Sequence, residues 1–399
     1  MIVVVGIGAD GMAGLPASSR RELTRATTIY GSPRQLALLD DSVSARRREW
    51  PSPLLPALGT LLEGAVSGDD GDVHDVHVVA SGDPLLHGIG NTLIRLYGPD
   101  AVSVLPHVSS VTLACARVGW AVQDTEIISL VTAASHTAVR RGGQAVVLSR
   151  DGTSPATLAR LLAETGRGDS ELTVLEQLGG PGERRRSATA REWASRPPRD
   201  VDGLNVMAVR YLPDDRVAHA LPDDALAHDG QLTKQSIRAV TLSALAPRPG
   251  ELLWDVGAGS GSIAVEWCRS ASGCSAVAFE RDDTRRARVE ANAVAFGAAV
   301  KVLGAAPDCF DDAPQPAAIF VGGGLTHPGL LDACLDRLPA GGRLVANLVT
   351  VESEGVVSQW YSRIGGTLRR FQHYHGEPVG GFTGWRPAMP VTQWVVTKR

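Results

Sequence analysis

Lysine is almost absent: of 39 basic side chains, only Lys234, Lys301 and Lys398 are not arginine. Against 43 acidic residues this gives a net charge of −4, so the chain has no general attraction for nucleic acid or an anionic membrane. An anionic ligand would have to be met by a local arginine patch. No uninterrupted apolar run approaches the length that crosses a bilayer. The opening residues, MIVVVGIGADG, carry no basic segment and pass straight into a glycine turn, so they read as a first strand and not as a secretion signal. Five cysteines (Cys115, Cys268, Cys274, Cys309, Cys334) stand apart, with no CxxC pair and no ligand cluster. That pattern suits free thiols in the reducing cytoplasm and points to no metal site. A Ser-His-Asp set, an HExxH run and a paired-carboxylate motif are also missing.

Glycine, in contrast, clusters at the ends of apolar runs, and the stretch Glu251 to Ser262, ELLWDVGAGSGS, organises the second half. Leu252, Leu253, Trp254 and Val256 read as a buried parallel strand. Asp255 and the loop Gly257, Ala258, Gly259, Ser260, Gly261 follow, then a helical segment. Alternating glycines let the backbone turn sharply and let a ligand come close, with helix-start amides facing it. After about nineteen more residues a second strand, Ser275 to Phe279, ends in Glu280, where a nucleoside ribose is held in doubly wound sheets. A dinucleotide and S-adenosylmethionine both fit. The G-x-G-x-G spacing and the acid at Asp255, which would repel a pyrophosphate but suits a methionine ammonium, favour the methyl donor.

At 399 residues the chain is expected to form two or three domains. In the first half, strands are expected at Ile2–Val5, Thr28–Tyr30, His77–Ala80, Val102–Leu105, Ala145–Leu148, Leu172–Leu175 and Leu204–Val209. Helices at 20–27, 51–68 and from Ser110 alternate with them, as in an α/β domain. Near residue 212 the chain turns polar, and LPDDRVAHA is followed by LPDDALAH, read as a duplicated linker.

Four segments, GIGADG at the start, SGDPLLHGIG, PHVSS and LEQLGGPGERR, together resemble the tetrapyrrole (corrin and porphyrin) methylase family across nearly all of residues 1–211. The resemblance implies a two-lobed class III methylase fold, with lobes of about 1–106 and 107–211 and S-adenosylmethionine folded in the trough between them. It places Gly8, Gly82, Asp83, Pro84 and Leu85 around the cofactor, and Ser109, Ser110 and Thr112 at the mouth of the next helix. His107 stands where that family usually has glycine.

After a linker at 212–228, residues 229–399 resemble a Rossmann-like class I methyltransferase with a seven-stranded sheet, of the decarboxylating precorrin type. TKQSIRA, DVGAGSGS, GAAPD and the VGGG turn carry that likeness. It implies cofactor contacts from Thr233, Gly257 to Gly261, Glu280, Ala305 and Ala306, and a substrate wall at Gly322, Gly323 and Gly324. Thr233 is also expected to cap the helix 231–246.

Two unlike methyltransferase folds on one chain resemble the bifunctional methylases of cobalamin synthesis that act on precorrin-6Y. The implied chemistry is methylation at ring carbons 5 and 15, with loss of the ring C acetate carboxyl, giving precorrin-8. A homo-oligomer is expected. A ring bearing many carboxylates needs cationic partners, for which Lys234 and Arg238 are the candidates; a solvated helix face is the alternative. Decarboxylation needs a proton donor, and His327, just past VGGG, is the candidate, with a surface or capping role as its alternative. His373 and His375 are weaker ones. The rival functions are a methyltransferase for another small molecule or RNA, and a catalytically dead tetrapyrrole-binding protein.

Overall fold

The computed structural model describes residues 1–51, 54, 58, 76–213 and 220–399. They divide into one unit of Met1–Ala133 with Gly142–Leu212 and another of Ala134–Arg141 with Pro213–Arg399. The helix expected over 51–68 lies largely outside the described residues, as does most of the first LPDD copy.

The first unit contains two sheets. β1 (Ile2–Ile7), β2 (Thr28–Gly31), β3 (Arg46–Glu49), β4 (Val76–Ser81) and β5 (Val102–Leu105) form a parallel sheet in the order β3-β2-β4-β1-β5. β1 is buried throughout, and its alternation feeds two cores. Val3, Val5 and Ile7 pack with Leu15, Leu23 and Val79, while Ile2 and Val4 pack with Val78, Leu93 and Val102. A parallel strand covered on both faces needs such an unbroken apolar run.

β6 (Glu126–Ser129), β7 (Gln144–Leu148), β8 (Glu171–Glu176), β9 (Arg184–Thr189) and β10 (Asn205–Arg210) form the second sheet, ordered β6-β7-β10-β8-β9. Only β6 and β7 are parallel. Strands β3, β6 and β9 were not expected from the sequence. β3 reads RRRE with every residue exposed, and so lacks any apolar alternation. β9 is held by charge: Glu176 is fully buried, and its carboxylate accepts from Arg184 (2.8 Å) and Arg186 (2.9 Å).

The second unit is built on β11 (Leu252–Val256), β12 (Ser275–Phe279), β13 (Val300–Leu303), β14 (Ala318–Val321), β15 (Arg343–Leu348), β16 (Thr367–Phe371) and β19 (Val391–Thr397). Their order is β13-β12-β11-β14-β15-β19-β16, with β19 antiparallel to both neighbours, which is the expected seven-stranded Rossmann-like sheet. Trp254 anchors one face, its ring 5.1 Å from Phe279 and 4.7 Å from Phe310. Helices Leu330–Arg337 and Val351–Ile364 lie on that face, and Gln235–Leu245 and Ser262–Ser270 on the other. A hairpin of β17 (Tyr374–Val379) and β18 (Phe382–Pro387), unexpected from the sequence, is inserted before β19.

The sheet geometry brings three motif segments of the first unit together. The amide of Gly82 donates to Ile7 O (3.0 Å), and the amide of His107 donates to Gly82 O (3.3 Å). Gly6 lies where these chains cross, and a Cβ there would stand 2.0 Å from Gly82 O and 2.7 Å from His107 N. Backbone cannot yield as a flexible side chain does. Gly6→Ala is therefore expected to destabilise the first unit by roughly 2 kcal/mol or more. Chemical denaturation should show that unit unfolding earlier while the second unit's transition is unmoved.

Candidate functional site

A cleft of about 410 Å³ opens between the two sheets of the first unit. Gly8, Gly82, Asp83, Ser109 and Ser110 all line it, so the structure brings these five expected residues together. Pro84 is buried and Leu85 is 47 % exposed, and neither is part of the lining. Thr112 is also outside the lining. Its amide donates to the Ser109 hydroxyl (3.0 Å), which caps the helix Ser110–Val118. One oxygen of Asp83 accepts the Leu85 amide at 2.9 Å, which locks the SGDP turn.

Other lining groups were not read from the sequence: Arg34, Gln35, Trp50, Ser81, His87 and an apolar wall of Leu148, Leu175 and Val206. Arg34 and Gln35 follow Ser32, whose capping box with Gln35 was a readable signal for a short helix. His107, in the position usually glycine, places Nε2 3.4 Å from Asp10 and so braces the first glycine loop.

In the second unit the expected residues gather at the carboxyl ends of β11, β12 and β14. The amides of Gly257 and Ala258 donate to Phe279 O (3.0 and 3.2 Å), and Gly261 N donates to Ala258 O (2.8 Å). Glu280 is buried. Its two oxygens accept the amides of Gly259 (2.9 Å) and Asp282 (3.1 Å), which fixes the carboxylate beside the loop. Ser260 is buried and its hydroxyl has no partner among the described residues. Ala305 and Ala306 are half-buried beyond β13.

Asp255 is 1 % exposed and sits behind the glycine loop. One oxygen accepts the Ala264 amide at 3.0 Å, and the other is buried with no partner among the described residues. Burial, reinforced by the Glu280 charge and opposed by the Ala264 hydrogen bond, pushes this carboxyl up to about 7. A buried, unanswered carboxylate oxygen beside an open glycine loop fits a cationic ligand such as the ammonium of S-adenosylmethionine.

The turn Gly322–Gly324 constrains Gly257 and not itself at Gly323, where a Cβ would stand an ordinary 3.8 Å from Gly257 Cα. A Cβ on Gly257 would stand 2.8 Å from Gly323 N, so the two turns touch backbone to backbone. His327 is exposed, with Nδ1 3.1 Å from Pro328 O.

Two expectations are corrected. Thr233 does not cap the helix, which starts at Gln235 with Lys234 in the capping position. Thr233 instead offers its carbonyl to Arg238. Arg238 is completely buried and cannot meet a substrate carboxylate. Its guanidinium donates to Asp223 (2.8 Å), Thr233 O (2.6 Å) and Leu221 O, and lies 3.4 Å from Glu266. Lys234 is 52 % exposed and 3.8 Å from Asp223, so it alone of the pair faces solvent.

Arg238→Ala should cost about 3–5 kcal/mol of stability in the second unit, because the buried Glu266 would lose its cation, keeping the Leu221 amide, and Leu221 O would lose its donor. Thermal unfolding would show that loss in the absence of any ligand. The Asp255 carboxyl binds its proton more tightly folded than unfolded, so its contribution is complete below about pH 4 and is lost as pH rises through about 7. The melting temperature of the ligand-free second unit is expected to fall between pH 5 and pH 8. Asp255→Asn should flatten that fall and melt roughly 3 °C or more above wild type at pH 8.

Comparison with known proteins now bears on these sites. The family model described as tetrapyrrole (corrin/porphyrin) methylases matches residues 1–194, and that described as a precorrin methyltransferase domain matches residues 224–398. A Mycobacterium tuberculosis protein named precorrin-6Y C(5,15)-methyltransferase [decarboxylating] is 69 % identical over 399 residues, 100 % of both chains. A Sinorhizobium protein of the same name is 42 % identical over 100 % of this chain and 96 % of its own. The crystal structure of the C-terminal domain of precorrin-6Y C5,15-methyltransferase from Rhodobacter capsulatus aligns with 45 % of this chain and 98 % of its own, at 42 % identity and a TM-score of 0.43. The chain belongs to the family of decarboxylating precorrin-6Y C(5,15)-methyltransferases.

Proposed function

We propose that this chain methylates precorrin-6Y at ring carbons 5 and 15 and releases carbon dioxide from the ring C acetate, giving precorrin-8, with one S-adenosylmethionine site in each half. The observation that supports this most is the unbroken match, at 69 % identity, to a protein named for both methylations and the decarboxylation. In this reading the domains are 1–211 and 229–399, joined by 212–228. The first half serves carbon 5, and the second serves carbon 15 and the decarboxylation.

S-adenosylmethionine supplies an electrophilic methyl group, so the protein's task is to place an electron-rich ring carbon in line with it and to exclude water. In the first half, Gly8, Gly82, Asp83, Ser109 and Ser110 would hold the cofactor, and the cleft's apolar wall would exclude water. In the second half, Gly257 to Gly261 leave room for the cofactor, Asp255 answers its cation and Glu280 its ribose. Thr233, Ala305 and Ala306 would complete that site. The all-glycine turn Gly322–Gly324 leaves space for a large planar ring. His327, exposed beside that turn, would deliver the proton that replaces the lost carboxyl, and Lys234 would meet a ring carboxylate. The reading has a cytoplasmic homo-oligomer; the net charge of −4 supports its having no nucleic-acid or membrane partner. Keeping both sites on one chain holds the intermediate at raised local concentration.

Calorimetry of the full chain with S-adenosylhomocysteine should give two sites. Asp83→Ala should remove one together with methylation at carbon 5. Gly259→Val, at a position with φ +60°, should remove the other together with carbon-15 methylation and carbon dioxide release. A single site, or loss of both product sets in either variant, would overturn the division.

A further inference from the structure

Among the groups that line the first-unit cleft, Arg34 is not accounted for by the cofactor contacts above. It sits on the short helix Pro33–Leu36, which a reciprocal capping box makes rigid: the Ser32 amide donates to Gln35 Oε1 at 2.8 Å, and the Gln35 amide donates to Ser32 Oγ at 3.4 Å. Arg34 Nη2 donates to Ser81 Oγ at 2.6 Å, and Gln35 Nε2 donates to the same oxygen at 2.9 Å. Arg34, Gln35 and Ser81 all line the cleft. Ser81 is the last residue of β4 and the first of the SGDP turn.

The hydrogen-bond inventory of this corner is one-sided. A hydroxyl oxygen has two acceptor positions, and here both are taken by Arg34 and Gln35. The Ser81 proton must therefore be donated outward, and no described residue accepts it. Arg34 uses one of its five N–H groups on Ser81 and forms no ion pair with any described residue. Its environment is partly desolvated, which pulls its pKa down, and the more distant charge of Asp202 opposes that shift. Asp202 is already engaged: its carboxylate accepts from Gln177 Nε2 (2.9 Å) and from the Leu204 amide (2.7 Å). Arg238, fully buried, has Asp223 and Glu266 facing it, whereas Arg34 is an exposed residue of the cleft lining. Arg34 has a neutral hydroxyl.

We infer that Arg34, backed by Ser81 and Gln35, is a carboxylate-docking corner that takes one acetate or propionate arm of the tetrapyrrole and sets its orientation in the first-unit cleft. The inference rests on the functional reading above and adds a residue that selects and positions the substrate. A planar guanidinium with free N–H groups and an adjacent hydroxyl donor match the two oxygens of a carboxylate. Asp83, in the same cleft, carries the opposite charge, so the cleft is polarised: an acid suits the cationic cofactor and an arginine suits the anionic substrate.

Steady-state kinetics of the full chain with precorrin-6Y, read separately for methylation at carbon 5 and at carbon 15, tests the assignment. Arg34→Ala is expected to raise the KM for carbon-5 methylation by about tenfold or more, with kcat changed by less than about threefold. Arg34→Lys should recover part of that loss, because it restores charge without the fork. S-adenosylhomocysteine affinity and the carbon-15 reaction should match wild type in both variants, which also shows that the chain is folded. An unchanged KM in Arg34→Ala overturns the assignment. Loss of S-adenosylhomocysteine binding overturns it too, because Arg34 would then serve the cofactor's own carboxylate. A wild-type chain that fails to methylate precorrin-6Y overturns the functional reading, a result distinct from either.

Discussion

Backbone touching backbone, with no room for a side chain, is the constraint on which both halves depend. In the first unit the ends of β1 and β4 and the segment after β5 cross at Gly6, where a Cβ would lie 2.0 Å from Gly82 O. In the second unit the turns after β11 and β14 meet at Gly257, where a Cβ would lie 2.8 Å from the facing Gly323 amide. Both crossings occur at the carboxyl ends of adjacent parallel strands, where open α/β sheets bind ligands. The contact that closes the sheet edge also makes the bare surface on which a cofactor can lie. A side chain at either position would fill space between protein segments before any ligand arrived.

Charge is distributed to suit these bare surfaces. The buried arginines Arg238 and Arg343 are tied to acids, Arg238 to Asp223 and Glu266 and Arg343 to Glu251, and the more exposed Arg184 and Arg186 answer the buried Glu176. They hold the fold and leave nothing for a ligand. The groups left over at the sites are few and of defined sign. Among the described residues, Asp255 has one carboxylate oxygen without a partner, and Arg34 has donors without an acceptor. An overall acidic protein can in this way admit an anionic macrocycle at one corner while its remaining field suits a sulfonium.

Periodicity and glycine spacing made most of the fold legible. β1 and β14 are unbroken apolar runs, and β11 and β12 are broken by Asp255 and Ser275 alone, because all four are buried; glycines after β1, β11 and β14 mark the turns. The strands that escaped detection carry no such pattern. β3 and β9 begin with three consecutive arginines each, and β9 is held by the buried Glu176, a contact between β8 and β9 that no local window displays. The β17–β18 hairpin exposes Phe382 and Trp385, so its apolar residues do not report burial. At the site, backbone-determined residues such as Gly8, Gly82 and Ser109 were readable, because a turn imposes its own residue types.

Side-chain partners were the illegible part, and Arg238 against Arg34 shows why. Both lie at the start of helices beside a glycine turn, and residue type alone ranks them equally as carboxylate receptors. What separates them is where long-range packing places an acid. Asp223 and Glu266, 15 and 28 residues away in sequence, close over Arg238 and bury it. Among the described residues Arg34 meets the Ser81 hydroxyl, 47 residues distant, and no acid. A cation matched by internal acids contributes to folding, and one left with a neutral partner at a cleft keeps its attraction for a ligand. Recognition of an anionic ring by this acidic chain therefore depends less on how many arginines it carries than on which of them folding leaves without an acid.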